Sequence, residues 1–115
     1  MRERFFANVR PYVDRVRHFE MFSDEFFRHR LPETFDLVLS DGGHAGTQAC
    51  RDLLHAGQRL KVGGRLVFDD YKWRGDQGFA SDGPRRAMDA FLLVVPPSDV
   101  RVRLRSYIVI LEKLQ

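Results

Sequence analysis

The chain has 115 residues, of which 43% are hydrophobic and 30% charged, and this composition is typical of one globular domain. No apolar run is long enough to cross a membrane, and the first ten residues contain no apolar signal core. The single cysteine, Cys50, excludes an internal disulfide, and we expect a cytoplasmic protein. The net charge is +3, and the arginines are scattered along the chain, which makes nucleic-acid binding the less favoured class.

The first third of the chain shows weak patterns. Residues 2–14 predict a helix or loop, and residues 15–21, "RVRHFEM", alternate partly and predict a short strand. Residues 23–31 predict a helix with Ser23 as its N-cap, and Pro32 should end it.

The middle of the chain predicts a strand–helix–strand unit. Residues 35–40, "FDLVLS", form a short apolar run that is typical of a strand covered on both faces, as in a parallel sheet. Residues 47–60 predict an amphipathic helix that stops at "KVGG", and residues 65–70, "RLVFDD", predict the second strand. The apolar residues that set the helical spacing are Ala49, Leu53, Ala56 and Leu60.

The last third predicts a loop, a helix and two strands. Residues 74–83 are polar and glycine-rich and predict a loop or a mobile lid. A helix should begin at Pro84 and end before Pro96. Residues 100–105, "VRVRLR", predict a strand with one solvent-facing side, and residues 106–114 predict an antiparallel neighbour that lies deeper in the sheet.

Three aspartates follow the two central strands. Asp41 ends the first strand, and Asp69 and Asp70 end the second. Ligands of open α/β sheets bind beyond the carboxyl ends of the strands, and carboxylates that converge there suit a hard cation such as Mg²⁺. The alternative is that each aspartate caps the turn that follows it.

His44 lies three residues after Asp41, beside Gly42 and Gly43. An imidazole with an ordinary pKa near 6.5 suits a general base at neutral pH. The alternative is a histidine at a helix start with no chemical role. The glycines allow the backbone to approach a ligand closely, or simply to turn.

The stretch "FDLVLSDGGHAGTQACRDLLHAGQRLKVGGRLVFDDYKW" resembles the central part of class I S-adenosylmethionine-dependent methyltransferases. The similarity is greatest to small-molecule O-methyltransferases, whose fourth strand ends in D-G-x-H and whose fifth follows L-x-x-G-G and ends in D-D-Y. "RVRHFEMFSDEF" resembles that family's third strand and next helix. "GPRRAMDAF" and "SYIVILEKL" resemble its closing helix and final strand.

The resemblance implies a Rossmann-like α/β sheet of strand order 3-2-1-4-5-7-6 with the last strand antiparallel, and a methyl transfer to a hydroxyl of a small molecule. It implies S-adenosylmethionine as cofactor and Mg²⁺ held by Asp41, Asp69 and Asp70, with His44 as the base. The segment of Phe22, Ser23 and Asp24 matches the loop that lies beside the adenine of the cofactor in that family. Asp41 and Gly42 would also lie near the cofactor.

Two parts of that family's pattern are missing from the sequence. The glycine-rich loop after the first strand and the acidic residue after the second have no counterpart. We therefore expect residues 1–115 to form one partial methyltransferase domain with strands 3 to 7, whose sheet is uncovered where the first two strands should lie. Such a chain should bind the cofactor poorly alone.

Three functions remain open at this point. The first is the C-terminal portion of a methyltransferase, partnered by a missing N-terminal half. The second is a non-catalytic remnant or interaction module, inactive alone, that pairs with another chain or a second copy through its sheet edge. The third is a metal-dependent hydrolase that uses the aspartates and His44 without a methyl donor.

Overall fold

A computed structural model describes residues 1–29, 33–75 and 82–115. The described elements, in chain order, are α1 (Arg2–Val9), a 3₁₀ helix (Arg10–Arg15), α2 (Ser23–His29), β1 (Phe35–Ser40), α3 (Gly46–Arg59), β2 (Leu60–Phe68), α4 (Gly83–Val94), β3 (Val100–Arg105) and β4 (Val109–Lys113). Pro32 and most of the predicted loop at 74–83 lie outside the described residues. None of the described helices combines the length and hydropathy that a bilayer crossing requires.

The four strands form one sheet in the order β1-β2-β4-β3. β1 pairs with β2 in parallel, and β4 pairs in antiparallel fashion with both β2 and β3. This is the arrangement expected for strands 4, 5, 7 and 6 of the methyltransferase sheet, with the last strand inserted antiparallel. The predicted α/β fold, with an incomplete Rossmann-like sheet, is therefore confirmed.

The hydrophobic core lies between one face of the sheet and helices α3 and α4. The apolar positions predicted on α3 all face inward, and Leu53 is fully buried. They pack against buried side chains of the strands and of α4 because alternate strand residues point to the same face. The buried core residues are Ala49, Leu53, Ala56, Leu60, Leu66, Phe68, Tyr71, Ala87, Met88, Phe91, Val109 and Leu111.

The opposite face of the sheet is largely exposed. Leu37 and Leu39 on β1 are 62% and 64% exposed, although a parallel strand is normally covered on both faces. The expectation that the sides of this strand would lie uncovered is confirmed. β3 is also exposed on both faces, with Val102 and Leu104 each 42% exposed, so the prediction of a single solvent-facing side is wrong there. The physical reason is its position at the other sheet edge, beyond the reach of α4.

Helix α3 passes directly into β2 without the predicted "KVGG" stop. The helix ends at Arg59, and Leu60 already has extended angles, φ −69° and ψ 138°. Gly63 has φ 82°, a left-handed conformation that glycine adopts without steric cost. The pairing with β1 shifts at this point, since Phe35 pairs with Leu60 but Leu37 pairs with Arg65. The two glycines therefore form an irregularity inside the strand and do not end the helix.

Two predictions for the N-terminal third are wrong. Residues 15–21 form no strand, and no described residue before Phe35 belongs to the sheet, so the third strand of the family pattern is not formed by the described residues. A strand needs a partner for its backbone groups, and the alternation in this segment is only partial. Ser23 is the first residue of α2 and not its cap. Its hydroxyl donates to Asp52 Oδ1 of α3 at 2.5 Å, so it ties the two helices together.

Leu53 and Leu54 are adjacent on α3 and offer a matched test of this packing. Leu53→Ala should lower the free energy of unfolding by about 2–5 kcal/mol, because the removed side chain is fully buried and leaves a cavity. Leu54→Ala, whose side chain is 42% exposed, should cost much less. Urea denaturation followed by circular dichroism measures both. Equal losses would mean that a different face of α3 packs inward.

Candidate functional site

The three aspartates converge at the carboxyl ends of β1 and β2. The strands stay paired to their last residues, Ser40 and Phe68, and the Asp69 N–H then donates to the Ser40 carbonyl at 3.0 Å. This bond places the residues that follow the two strands side by side. One carboxylate oxygen from each of Asp41, Asp69 and Asp70 lies within 4.8 Å of the others.

The space between these carboxylates is small. The cavity that they line with Gly42 and His44 has a volume of about 10 Å³, which is enough for one water molecule or ion and too little for an organic substrate. Asp41 is exposed, whereas the other two carboxylates are half-buried. An organic molecule would therefore have to approach from outside this cavity.

Asp70 has a conformation that few residues adopt. Its φ is 62°, in the left-handed region that aspartate tolerates better than most residues. Its N–H donates to Asp69 Oδ1 at 2.8 Å, and its carbonyl accepts the Trp73 N–H at 2.9 Å. These two hydrogen bonds stabilise a tight turn that directly follows β2.

His44 joins the aspartate cluster through Asp70. Its Nε2 lies 2.8 Å from Asp70 Oδ2, and its ring stacks on Trp73 with the ring centroids 4.0 Å apart. The histidine side chain is 37% exposed, so solvent or a substrate reaches it. The carboxylate fixes the imidazole orientation, while the indole covers one side of the ring.

Tyr107 also contacts the cluster. It lies between β3 and β4, and its carbonyl accepts the Tyr71 N–H at 2.8 Å, which brings this turn against the end of β2. The hydrogen bond from its hydroxyl to Asp70 raises the pKa of Tyr107 above the ordinary value, with smaller contributions from lost hydration and from the Asp70 and Asp69 charges. The hydroxyl therefore stays protonated and donates to Asp70 at neutral pH.

The residues expected near the cofactor fall into two groups. The Ser23 hydroxyl donates to Asp52 Oδ1. The other oxygen of this carboxylate, Oδ2, would lie 3.4 Å from a Cβ atom added at Gly42. The start of α2 and the glycine loop therefore both lie beside Asp52. Gln48 Nε2 donates to both Ser23 Oγ and Asp52 Oδ1, at 3.0 and 2.9 Å. Phe22 precedes this network and is 82% exposed.

Asp24 faces α3. Its carboxylate lies 3.4 Å from Arg51 Nε and 3.5 Å from His55 Nε2. These contacts hold α2 on α3, although Asp24 Oδ1 is buried and has no hydrogen-bond partner among the described residues. The assignment of Asp24 to the cofactor stays a prediction, as do those of Phe22 and Ser23.

A backbone contact fixes the loop that carries His44. A side chain added at Gly83, the first residue of α4, would come within 2.0 Å of the His44 carbonyl oxygen and 2.8 Å of the Gly46 nitrogen. A side chain at Gly46 would meet the Gly83 carbonyl at 3.4 Å. The two backbones therefore lie in direct contact, and only a residue without a side chain fits at position 83.

Sequence reasoning missed three residues of this region, namely Tyr107, Asp52 and Gln48. The predicted antiparallel pairing of the last two strands was a usable indication for Tyr107, since the turn between them must lie at the carboxyl end of β2. The spacing of Gln48 and Asp52, four residues apart on α3, predicts that they share a helix face, but no sequence pattern places Ser23 opposite them.

Comparison with known proteins identifies the family. The family profile described as "Methyltransferase domain" matches residues 2–71, more than half of the chain. The chain belongs to this methyltransferase domain family. Among curated proteins, none matches the sequence significantly.

Two solved structures have the same fold as this methyltransferase domain. A candidate rRNA methylase from Clostridium thermocellum superposes with a TM-score of 0.74 at 18% identity, over 98% of this chain and 65% of its own. An rRNA methylase from Streptococcus thermophilus superposes with a TM-score of 0.55 at 21% identity, over 79% of this chain and 54% of its own. The domain thus spans less than two thirds of either structure.

Removal of the Asp70 charge should lower the Tyr107 pKa. In Asp70→Asn the phenolate is no longer opposed by the carboxylate, so Tyr107 should ionise nearer the ordinary tyrosine value of about 10. In the wild-type protein, the contact with Asp70 stabilises the folded state fully at a pH below the ordinary tyrosine pKa of about 10. This stabilisation is lost as the pH rises through the raised pKa of Tyr107. Titration of ¹³C-labelled tyrosine by NMR measures the shift. Asp99→Asn is the control, and an equal shift there would exclude the Asp70 contact as its cause.

Proposed function

We propose that this domain carries the acceptor side of a class I methyltransferase active site and transfers the methyl group of S-adenosylmethionine to a hydroxyl of a small molecule. The observation that supports this is the convergence of Asp41, Asp69 and Asp70 next to His44, beyond the carboxyl ends of two parallel strands. Family membership supports the cofactor, which when bound supplies an electrophilic methyl group on a sulfonium.

His44 is proposed as the general base. With Nε2 held by Asp70, the Nδ1 atom is the ring nitrogen that accepts the proton of the acceptor hydroxyl. Asp70 orients the ring and stabilises the imidazolium that forms. Trp73, stacked on the ring, limits its rotation and covers one side from water.

The aspartates fit a divalent cation such as Mg²⁺. Three carboxylates at this separation repel one another unless a cation or protons compensate them, and hard divalent ions prefer oxygen ligands. Asp70 accepts from Tyr107 and lies against His44, yet a carboxylate has about four lone-pair sites and retains capacity. A bound ion would lower the pKa of a hydroxyl placed on it.

The cofactor is proposed to lie along Phe22, Ser23 and the Asp41–Gly42 turn, with Asp24 behind them on α2, where this helix packs against α3. The hydrogen-bonded group of Ser23, Gln48 and Asp52 supports this location because it holds the two segments at a fixed separation. The exposed Phe22 ring offers an apolar surface at the end of that group.

A second polypeptide segment is proposed to complete the cofactor site, either as the missing N-terminal half of the fold or as a second copy of the chain. The exposed Leu37 and Leu39 and the open edge of β1 support this, because an unpaired strand edge with apolar sides favours a partner. An interaction module without catalysis would use the same edge, and the cation and cofactor tests below distinguish the two functions.

Mg²⁺ binding should depend on the clustered carboxylates. Calorimetric titration of MgCl₂ into the chain should give one site, and Asp69→Asn with Asp70→Asn should weaken it at least tenfold because two of three anionic ligands are removed. Asp14→Asn with Asp36→Asn removes the same charge from exposed positions and should leave the affinity unchanged. Unchanged binding in the first double variant would exclude these residues as ligands.

Cofactor binding tests the methyltransferase function itself. The chain joined to a strand, glycine-rich loop and helix at its N-terminus should bind S-adenosylmethionine at least tenfold tighter than the chain alone, because the missing backbone donors are restored. In the joined protein, His44→Gln should lower kcat by about 10²–10⁴-fold.

His29→Gln, at the exposed end of α2, is the matched control and should retain full activity. Micromolar cofactor binding by the 115 residues alone would contradict the proposed need for a completing segment. Hydrolysis of a phosphate ester without any methyl donor would instead assign the site to a metal-dependent hydrolase.

A further inference from the structure

A basic cavity lies next to His44 and outside the aspartate cluster. It is open, has a volume of about 310 Å³, and is lined by three cationic and two aromatic residues. This volume is at the lower end of the range for organic ligands, roughly 300–1,000 Å³. None of the described residues that line it is a carboxylate. The lining residues are Tyr71, Lys72, Trp73, Arg74 and Arg85.

The positive charge of this cavity is weakly compensated. Lys72 and Arg74 are exposed and form no ion pair with any carboxylate in the described ranges. Arg85 Nε lies 3.9 Å from Asp89 Oδ2, a long contact on a carboxylate that already accepts the Tyr71 hydroxyl at 2.7 Å. Within the described ranges, the cavity therefore presents an excess of positive charge to an anion.

A fourth cation approaches from another part of the chain. The Arg105 guanidinium lies 5.8 Å from the Tyr71 ring centroid, and the Arg85 guanidinium lies 5.7 Å from the same centroid. These arginines come from the end of β3 and the start of α4, whereas Lys72 and Arg74 follow β2. The fold thus gathers cations from three separate segments around one buried aromatic ring.

The cavity shares a wall with the proposed general base. Trp73 lines it and also stacks on His44. A side chain added at Gly75 would overlap the Trp73 ring at 2.0 Å, so the backbone passes directly against the indole on its way out of the turn. An anion in this cavity is consequently separated from the imidazole by a single side chain.

We propose that this cavity binds a phosphate group carried by the methyl acceptor, which places a hydroxyl of the same molecule at His44. The inference rests on the proposed methyl transfer and extends it by assigning the acceptor to phosphorylated compounds. Arg74 and Arg85 supply planar donor groups that suit phosphate oxygens, and Lys72 adds a point charge. The phosphate belongs to a free sugar phosphate or nucleotide, or to a strand of RNA.

The only tryptophan of the chain, Trp73, reports binding directly. Ribose 5-phosphate does not absorb near 295 nm, so its titration should change the tryptophan emission saturably, whereas ribose should not. Arg74→Gln with Arg85→Gln should weaken the binding at least tenfold. Arg4→Gln with Arg101→Gln removes two exposed cations elsewhere and should leave it unchanged. Circular dichroism verifies that all variants are folded.

The titration is made without S-adenosylmethionine and without Mg²⁺, so its result does not depend on methyl transfer. Equal responses to ribose and ribose 5-phosphate, or equal losses in the two double variants, would overturn the proposal. A hexauridylate strand identifies the source of the phosphate. Affinity at least tenfold above that of ribose 5-phosphate, lost in Arg74→Gln with Arg85→Gln, assigns it to RNA. If the hexauridylate strand binds less than tenfold more tightly than ribose 5-phosphate, the phosphate is assigned to a small molecule.

Discussion

The parallel pairing of β1 with β2 is the constraint on which the site depends. The pairing continues one step beyond the strands, through the hydrogen bond from Asp69 N–H to the Ser40 carbonyl, and this step brings the three carboxylates to one rim. A shift of one residue would turn every side chain of the strand to the other face. Such a shift would separate the carboxylates and would bury Val67 together with either Arg65 or Asp69 in place of Leu66 and Phe68.

The two faces of the sheet are covered unequally. Helices α3 and α4 cover one face and fix the register of β2 through its buried side chains. The other face, with Leu37 and Leu39, is open. The aspartate cluster and His44 lie at the strand ends, and the His44 loop is held there by its backbone contact with α4. The open side is the surface where the proposed completing segment would bind.

Local patterns in the sequence were enough to predict most of the sheet. Apolar runs and alternation identified all four strands, and the helical spacing of Ala49 and Leu53 identified α3. The rule that parallel strands end at one edge predicted the carboxylate cluster. Residues 15–21 were misassigned because the formation of a strand depends on a partner that local alternation does not reveal.

Contacts between distant segments were missed by sequence reasoning. Tyr107 reaches Asp70 only because β4 folds back beside β2, and the bond from Ser23 to Asp52 depends on how α2 lies on α3. The arginines look dispersed when read in order, yet Arg85 and Arg105 meet over one tyrosine ring. Charge scattered along a sequence is therefore a poor guide to charge gathered on a surface.

The contact between the Gly83 and His44 backbones links the loop mechanically to a helix. No side chain separates the two main chains, so the His44 loop lies directly against the backbone of α4. A residue with a side chain at position 83 would push the His44 backbone away from α4, so the position of this loop depends on a glycine at the start of another element. A molecule that contacts the imidazole must then come from its solvent-exposed side, since Trp73 already covers one face of the ring.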